Sequence, residues 1–161
     1  MLSSRYLQLD EALVPFIESG CGLVVGVVDA DGEPYTTRAW GLRVLDAAAG
    51  EIRLLVPERD EHRCAGTIAV TGGDVRTLRS VQLKGPATRR GPADEADAAI
   101  CTAYCDDFFA AVGETDGTPR PLMERLVPDR LAAVHVVVTE LYDQTPGPGA
   151  GAALGGGRDG R

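Results

Sequence analysis

No apolar run in this chain reaches the length of a membrane-spanning helix; the longest, around "GLVVGVV", is the size of a strand. A basic field is lacking too. The formal net charge is −8 at pH 7, which argues against nucleic acid as a main partner, because phosphate backbones call for cations. The opening "MLSSRYLQLDEALVPF" lacks the basic-then-apolar layout of a signal peptide, so no membrane partner and a cytoplasmic location are expected. Four cysteines, Cys21, Cys64, Cys101 and Cys105, form no CxxC pair, and His62 and His135 share no ligand spacing with them. Cys101 and Cys105 sit one helical turn apart, where a bridge is geometrically awkward, so free buried thiols in a reducing compartment are expected. No Ser-His-Asp or Cys-His pattern offers a nucleophile. Lysine is almost missing: Lys84 is the only one, and every other basic side chain is arginine.

What is present is a globular composition. Of 161 residues, 44% are hydrophobic, enough for one domain with a real core. Leu9 to Gly20 reads as a helix with Asp10 as N-cap, Gly20 as stop and Pro15 as a weak point. "GLVVGVVDADGEPYTTRAWG" reads as a hairpin turning at Asp31-Gly32. "EIRLLVP" and "TIAVT" are a third and fourth strand, separated by the charged "ERDEHRCAG". The fifth strand, "RTLRSVQLKGPATRR", is long, with Gly85-Pro86 marking a bulge or bend. The clearest helix is "ADEADAAICTAYCDDFFAAVG", started by Asp94 and Glu95 and ended by Gly113. A shorter helical region, "TPRPLMERLVPDRL", precedes the last strand, "AAVHVVVTELYDQ". There is no internal repeat. The connections are too short for parallel crossovers, so the expected fold is α+β: a six-stranded antiparallel split barrel with N-terminal and inserted helices. The domain is expected over residues 1–151, followed by a flexible glycine-rich tail over residues 152–161.

Within "RSVQLKG", Val81 and Leu83 point one way, and Ser80, Gln82 and Lys84 the other. If the polar row faces water, this is an ordinary half-buried strand. If it faces a crevice, the row suits a polar, anionic ligand. Thr36, Arg38 and Trp40 share a face in the same way, which places a guanidinium beside an aromatic plane.

The ordered set "DGEPYTTRAWG", "SVQLKG", the helical insertion and the exit "ELYDQTPGPGAG" resembles the pyridoxamine 5′-phosphate oxidase group of FMN-binding split barrels, over roughly Glu11 to Gly151. The resemblance implies a homodimer that binds FMN in a groove between subunits and acts on a small molecule. A deazaflavin or haem takes the place of FMN in some relatives of this fold. It further implies that Gln82 reaches the flavin ring edge, that Ser80 and Lys84 lie beside it, that Arg38 and Trp40 line the groove, and that Arg59 and Arg63 occupy the position of the phosphate loop.

Each residue also has a plain reading. Arg38 reads as a rim arginine paired with an acid, Trp40 as a core or interface residue, and Arg59 and Arg63 as a solvated helix face. "RDEHRC" replaces the Ser-Arg-Lys run of the oxidase, and its arginine-rich C-terminal segment is absent, so oxidation of pyridoxamine 5′-phosphate itself is not expected. Three functions follow: an FMN-dependent oxidoreductase, a flavin or other anion binder without turnover, and a cofactor-free structural or stress-response dimer.

Overall fold

Among the described residues, alternation of inward apolar and outward polar residues lays down eight strands: β1 (Gly22–Val28), β2 (Pro34–Arg38), β3 (Leu42–Asp46), β4 (Glu51–Pro57), β5 (Thr67–Gly73), β6 (Ser80–Pro92), β7 (Leu131–Val137) and β8 (Glu140–Asp143). The computed structural model describes residues 6–155. All pairings are antiparallel, in the order β2-β1-β5-β6-β7-β4-β3, with β8 beside the first half of β6. Leu23, Val25, Ile52, Leu54, Ile68, Val70 and Val134 point inward and are fully buried.

The strand count is eight rather than the expected six because Leu42–Asp46, which follows the expected second strand and was expected to be a connection, pairs with β4, and because the last run divides. The chain turns into β3 at Gly41, whose φ is 152°. There the chain leaves β1, with Ala39 N–H donating to Leu23 O (3.3 Å). It then joins β4, with Trp40 N–H donating to Leu55 O (2.7 Å) and Leu55 N–H to Gly41 O (3.0 Å). This exchange closes the sheet on itself. The run from 131 to 143 divides at Val138-Thr139, against Gly85. A Cβ on Gly85 would lie 1.8 Å from the carbonyl oxygen of Val137, so only glycine admits this approach. The register shift expected near Gly85-Pro86 falls between Ala87 and Arg89.

Three α-helices accompany the sheet among the described residues. α1 (Leu13–Glu18) is shorter than the expected Leu9 to Gly20. Asp10 opens it: Oδ1 accepts from Ala12 N–H (2.7 Å) and its carbonyl accepts from Leu13 N–H (2.9 Å). Pro15 sits in the first turn, where its missing N–H costs nothing. α2 (Glu95–Asp116) starts at Asp94 through a reciprocal capping box with Asp97. It runs past Gly113 and ends at Gly117, which adopts the left-handed conformation (φ 74°). Its stripe Cys101, Tyr104, Cys105, Phe108, Phe109 and Val112 is buried, at helical spacing. α2 lies over the closing seam. Ile100 meets Gly41, and Phe108 meets Gly22. Asp107 sits so close to Gly20 that a Cβ there would fall 2.5 Å from its own Cβ. α3 (Arg120–Glu124) is the short proline-flanked helix.

The stretch expected to begin a flexible tail returns to the body as far as it is described. Ala153 bridges Tyr142, and Leu154 N–H donates to Leu141 O (2.7 Å). The remainder of that expectation, residues 156–161, lies outside the described residues. All four cysteines are free and buried, and burial pushes the Cys64 thiol up to about 11. Among the described residues no helix is long and apolar enough to cross a membrane, and no cluster of three His, Cys, Asp or Glu is placed to hold a metal ion.

Candidate functional site

Strand register brings distant segments into one row on the outside of the sheet. Arg38 pairs with Val24, Val24 with Thr71, Thr71 with Gln82, and Gln82 with Tyr142. Directly paired residues project to the same side, and Leu23, Val25, Val81 and Leu83 fill the inside, so this row faces out. A second row runs parallel to it: Thr36, Gly26, Ala69, Lys84 and Glu140. Three strand spacings of ~4.8 Å separate Arg38 from Gln82, about 14 Å in all. Between them lie only Val24, Gly26, Ala69 and Thr71, a flat patch without charge.

Gln82 is half-buried. Its amide nitrogen donates to Thr71 Oγ1 (3.2 Å), which leaves its carbonyl oxygen to accept from a ligand. Lys84 Nζ lies 3.7 Å from Glu140 Oε2 and 5.9 Å from the Tyr142 ring, and Tyr142 also donates to Glu140. That hydrogen bond and the ammonium together hold the Glu140 carboxyl below its ordinary value. Ser80 holds the C-terminal exit: its N–H donates to Thr145 Oγ1 (3.0 Å) and its carbonyl accepts from Gln144 N–H (2.8 Å).

At the other end of the row, the Arg38 guanidinium lies 5.3 Å from the Trp40 ring centre and 4.8 Å from that of Phe108. It has no ion-pair partner among the described residues. Its Nε and the hydroxyl of Tyr104 are buried, and neither has a hydrogen-bond partner among the described residues. Burial pushes the Tyr104 hydroxyl up to about 12, against the opposing pull of Arg38, so it stays protonated. Arg38 and Trp40 line a cavity of about 550 Å³ with Thr36, Arg59, Asp60 and the loop Arg125 to Asp129.

The segment between β4 and β5, Glu58–Arg63, is a 3₁₀ helix. Its Asp60 turns inward, 5% exposed, and accepts from Tyr35 Oη (2.6 Å) and Thr37 Oγ1 (2.7 Å). Arg59 is 81% exposed at the cavity rim. Arg63 does not line the cavity. It pairs with Asp29 (3.0 Å) in the β1–β2 turn and covers the Tyr35 ring at 4.3 Å. The structure therefore joins Arg38, Trp40 and Arg59 in one cavity. It sets Gln82, Lys84 and Ser80 on the adjoining face and removes Arg63 to the hairpin. Tyr104, Arg125 and Tyr142 were not singled out from sequence. Tyr142 stands opposite Gln82 in register, a relation visible only once the strands are paired.

No family model matches the chain, and no curated protein matches it. Solved structures do. HupZ from Group A Streptococcus superposes with a TM-score of 0.54 at 16% identity, covering 89% of this chain and 98% of its own. A Lactobacillus delbrueckii protein provisionally named a pyridoxamine 5′-phosphate oxidase superposes with a TM-score of 0.50 at 16% identity, covering 88% of this chain and 97% of its own. The fold is the split barrel of pyridoxamine 5′-phosphate oxidase-like proteins.

Proposed function

We propose that this chain is a flavin-binding split barrel that works as a homodimer, with FMN as cofactor and flavin-dependent oxidoreduction of a small molecule as its activity. The observation that carries the reading is the row from Arg38 to Gln82. It sets an unpaired cation at one end, a donor-acceptor amide at the other, and a flat uncharged floor between them. A planar ring with an anionic arm matches that order of groups. The flavin supplies the redox chemistry, and the chain supplies orientation and electrostatics.

The residues fit such a ligand. Arg38 lines the cavity and has no ion-pair partner among the described residues, so an anion there meets a guanidinium whose charge is not already answered. Gln82 has a free carbonyl oxygen for the ring edge. The acids that weigh against anion binding are engaged elsewhere: Asp60 with Tyr35 and Thr37, Glu58 with Arg130 (3.0 Å), and Glu61 with Arg90 (3.8 Å).

Dimerisation follows from the same face. Val24 and Val28 are 47% and 60% exposed on this face, beside the small residues Gly26 and Ala69 and next to Thr36 and Thr71. Such a surface is suited to packing against its own copy.

The test is the visible spectrum of the purified protein. The blue absorption band of oxidised flavin, bleached by a reduced nicotinamide and weakened about tenfold in affinity by Gln82→Ala, supports the reading. Colourless protein that ignores added FMN overturns it. Flavin that binds but is never reduced leaves a carrier or sensor.

A further inference from the structure

The expected phosphate loop supplies only one of the cations, Arg59 at the rim. Of its residues, Arg63 is spent on Asp29, and Asp60 points into the protein. The cavity beside Arg38 instead receives a guanidinium from elsewhere. Arg125, in the loop after α3, lines it together with Arg38 and Arg59. Arg125 is exposed and makes no ion pair among the described residues, whereas its neighbour Arg120 is held by Glu124 (2.8 Å) and Asp106 (2.6 Å). Three guanidiniums face two carboxylates in this cavity, Asp60 and Asp129; Asp60 accepts from two hydroxyls and lies 4.0 Å from Arg59 Nε, which leaves Arg38 and Arg125 without an ion pair among the described residues.

We infer that Arg125, with Arg38, forms the anion seat of this barrel and binds a terminal phosphate or diphosphate. The 3₁₀ segment that would otherwise hold it contributes only Arg59 at the rim. The inference rests on the proposed ligand site and names its anion-recognising residues. Guanidiniums bind phosphate oxygens through paired N–H donors, and Arg38 is held between two aromatic rings, so half of the seat is built before the ligand arrives. Arg125 supplies the exposed half.

Trp40 lines the same cavity and is the single tryptophan of the chain, so its emission reports on the seat directly. Inorganic pyrophosphate is titrated by calorimetry, with Trp40 emission followed in parallel, into wild type, Arg125→Ala and Arg120→Ala. Saturable binding that falls about tenfold in Arg125→Ala and is unchanged in Arg120→Ala supports the seat. Equal binding by Arg125→Ala and wild type, or no binding of pyrophosphate by wild type, overturns it. FMN and riboflavin, which differ by the phosphate, are titrated alongside. Preference for FMN that Arg125→Ala erases supports the seat. Equal affinity for the two flavins overturns the seat and leaves the flavin reading intact. Arg125-dependent pyrophosphate binding without any flavin binding upholds the seat and removes the flavin reading.

Discussion

Arg53 grips Asp97 with two prongs: Nε donates to Oδ1 at 2.8 Å, and Nη2 donates to Oδ2. This pair joins β4 to the first turn of α2, 44 residues away in the chain. Asp97 is 2% exposed and also accepts from the N–H of Asp94, so one carboxylate holds both the ion pair and the helix cap. Asp97→Ala removes both prongs and the cap, leaving Arg53 only Asp94 (3.8 Å) and His135, and is expected to cost about 3 kcal/mol in urea unfolding. The double variant Arg53→Met/Asp97→Leu removes both charges and should lose less than Asp97→Ala alone. An additive double variant would show that the two residues act independently.

His135 extends the same cluster into a pH dependence. Its Nε2 lies 2.6 Å from Arg53 Nη1, so the ring accepts from the guanidinium and is neutral. Burial, then Arg53 and Arg89, hold it below its ordinary value of 6.5, with Glu51 and Asp97 pulling the other way. The unfolded chain therefore binds this proton first, and stability falls as pH drops below about 6.5, until the folded ring is protonated too. Asp97, held low first by its bond to Arg53, adds a second loss at more acidic pH. Urea midpoints measured from pH 8 to pH 5 should decline in wild type across the first window, and His135→Gln should flatten that decline. A wild-type midpoint that is constant through the window would leave His135 without a role in stability.

Gly85 admits no side chain. Alanine there would push its Cβ to 1.8 Å from the carbonyl oxygen of Val137, and both groups belong to rigid backbone at the centre of the sheet. Gly85→Ala is expected to yield little folded protein, read as loss of a cooperative thermal transition. Gly91→Ala lies on the same strand with open space around its Cβ position, and should fold.

Local patterns were legible in the residues, and relations between segments were not. Asp31-Gly32 made the expected turn: Gly32 adopts a φ of 81°, and the Asp29 side chain accepts from the N–H groups of Asp31 and Glu33. Val81 and Leu83 face inward as their alternation required, and Asp94 caps α2. The strand Leu42–Asp46 and the break at Val138-Thr139 escaped notice because each depends on which strand lies alongside, not on the run itself. Gly113 looked like a stop, yet Gly117 ends the helix, because a glycine inside a well-packed helix costs only about 1 kcal/mol. The orientation of Asp60 escaped for a similar reason. Its acceptors' partners, Tyr35 and Thr37, lie 25 and 23 residues earlier, on a strand whose position follows from closure of the barrel. The face shared by Arg38 and Gln82 emerged only from the register of four strands.

The proposed dimer makes the sharpest claim on a single residue. Val24 is 47% exposed at the middle of the outer row, between Arg38 and Thr71, where neither the barrel nor α2 covers it. Val24→Glu keeps the backbone extended and adds no buried charge to the monomer, so its stability should change by no more than about 0.5 kcal/mol. In a two-fold interface on this face the same substitution buries one carboxylate from each subunit without a partner. Light scattering should then show a dimer for wild type and a monomer for Val24→Glu. A Val24→Glu protein that stays dimeric would move the interface off this face and leave the groove open to solvent.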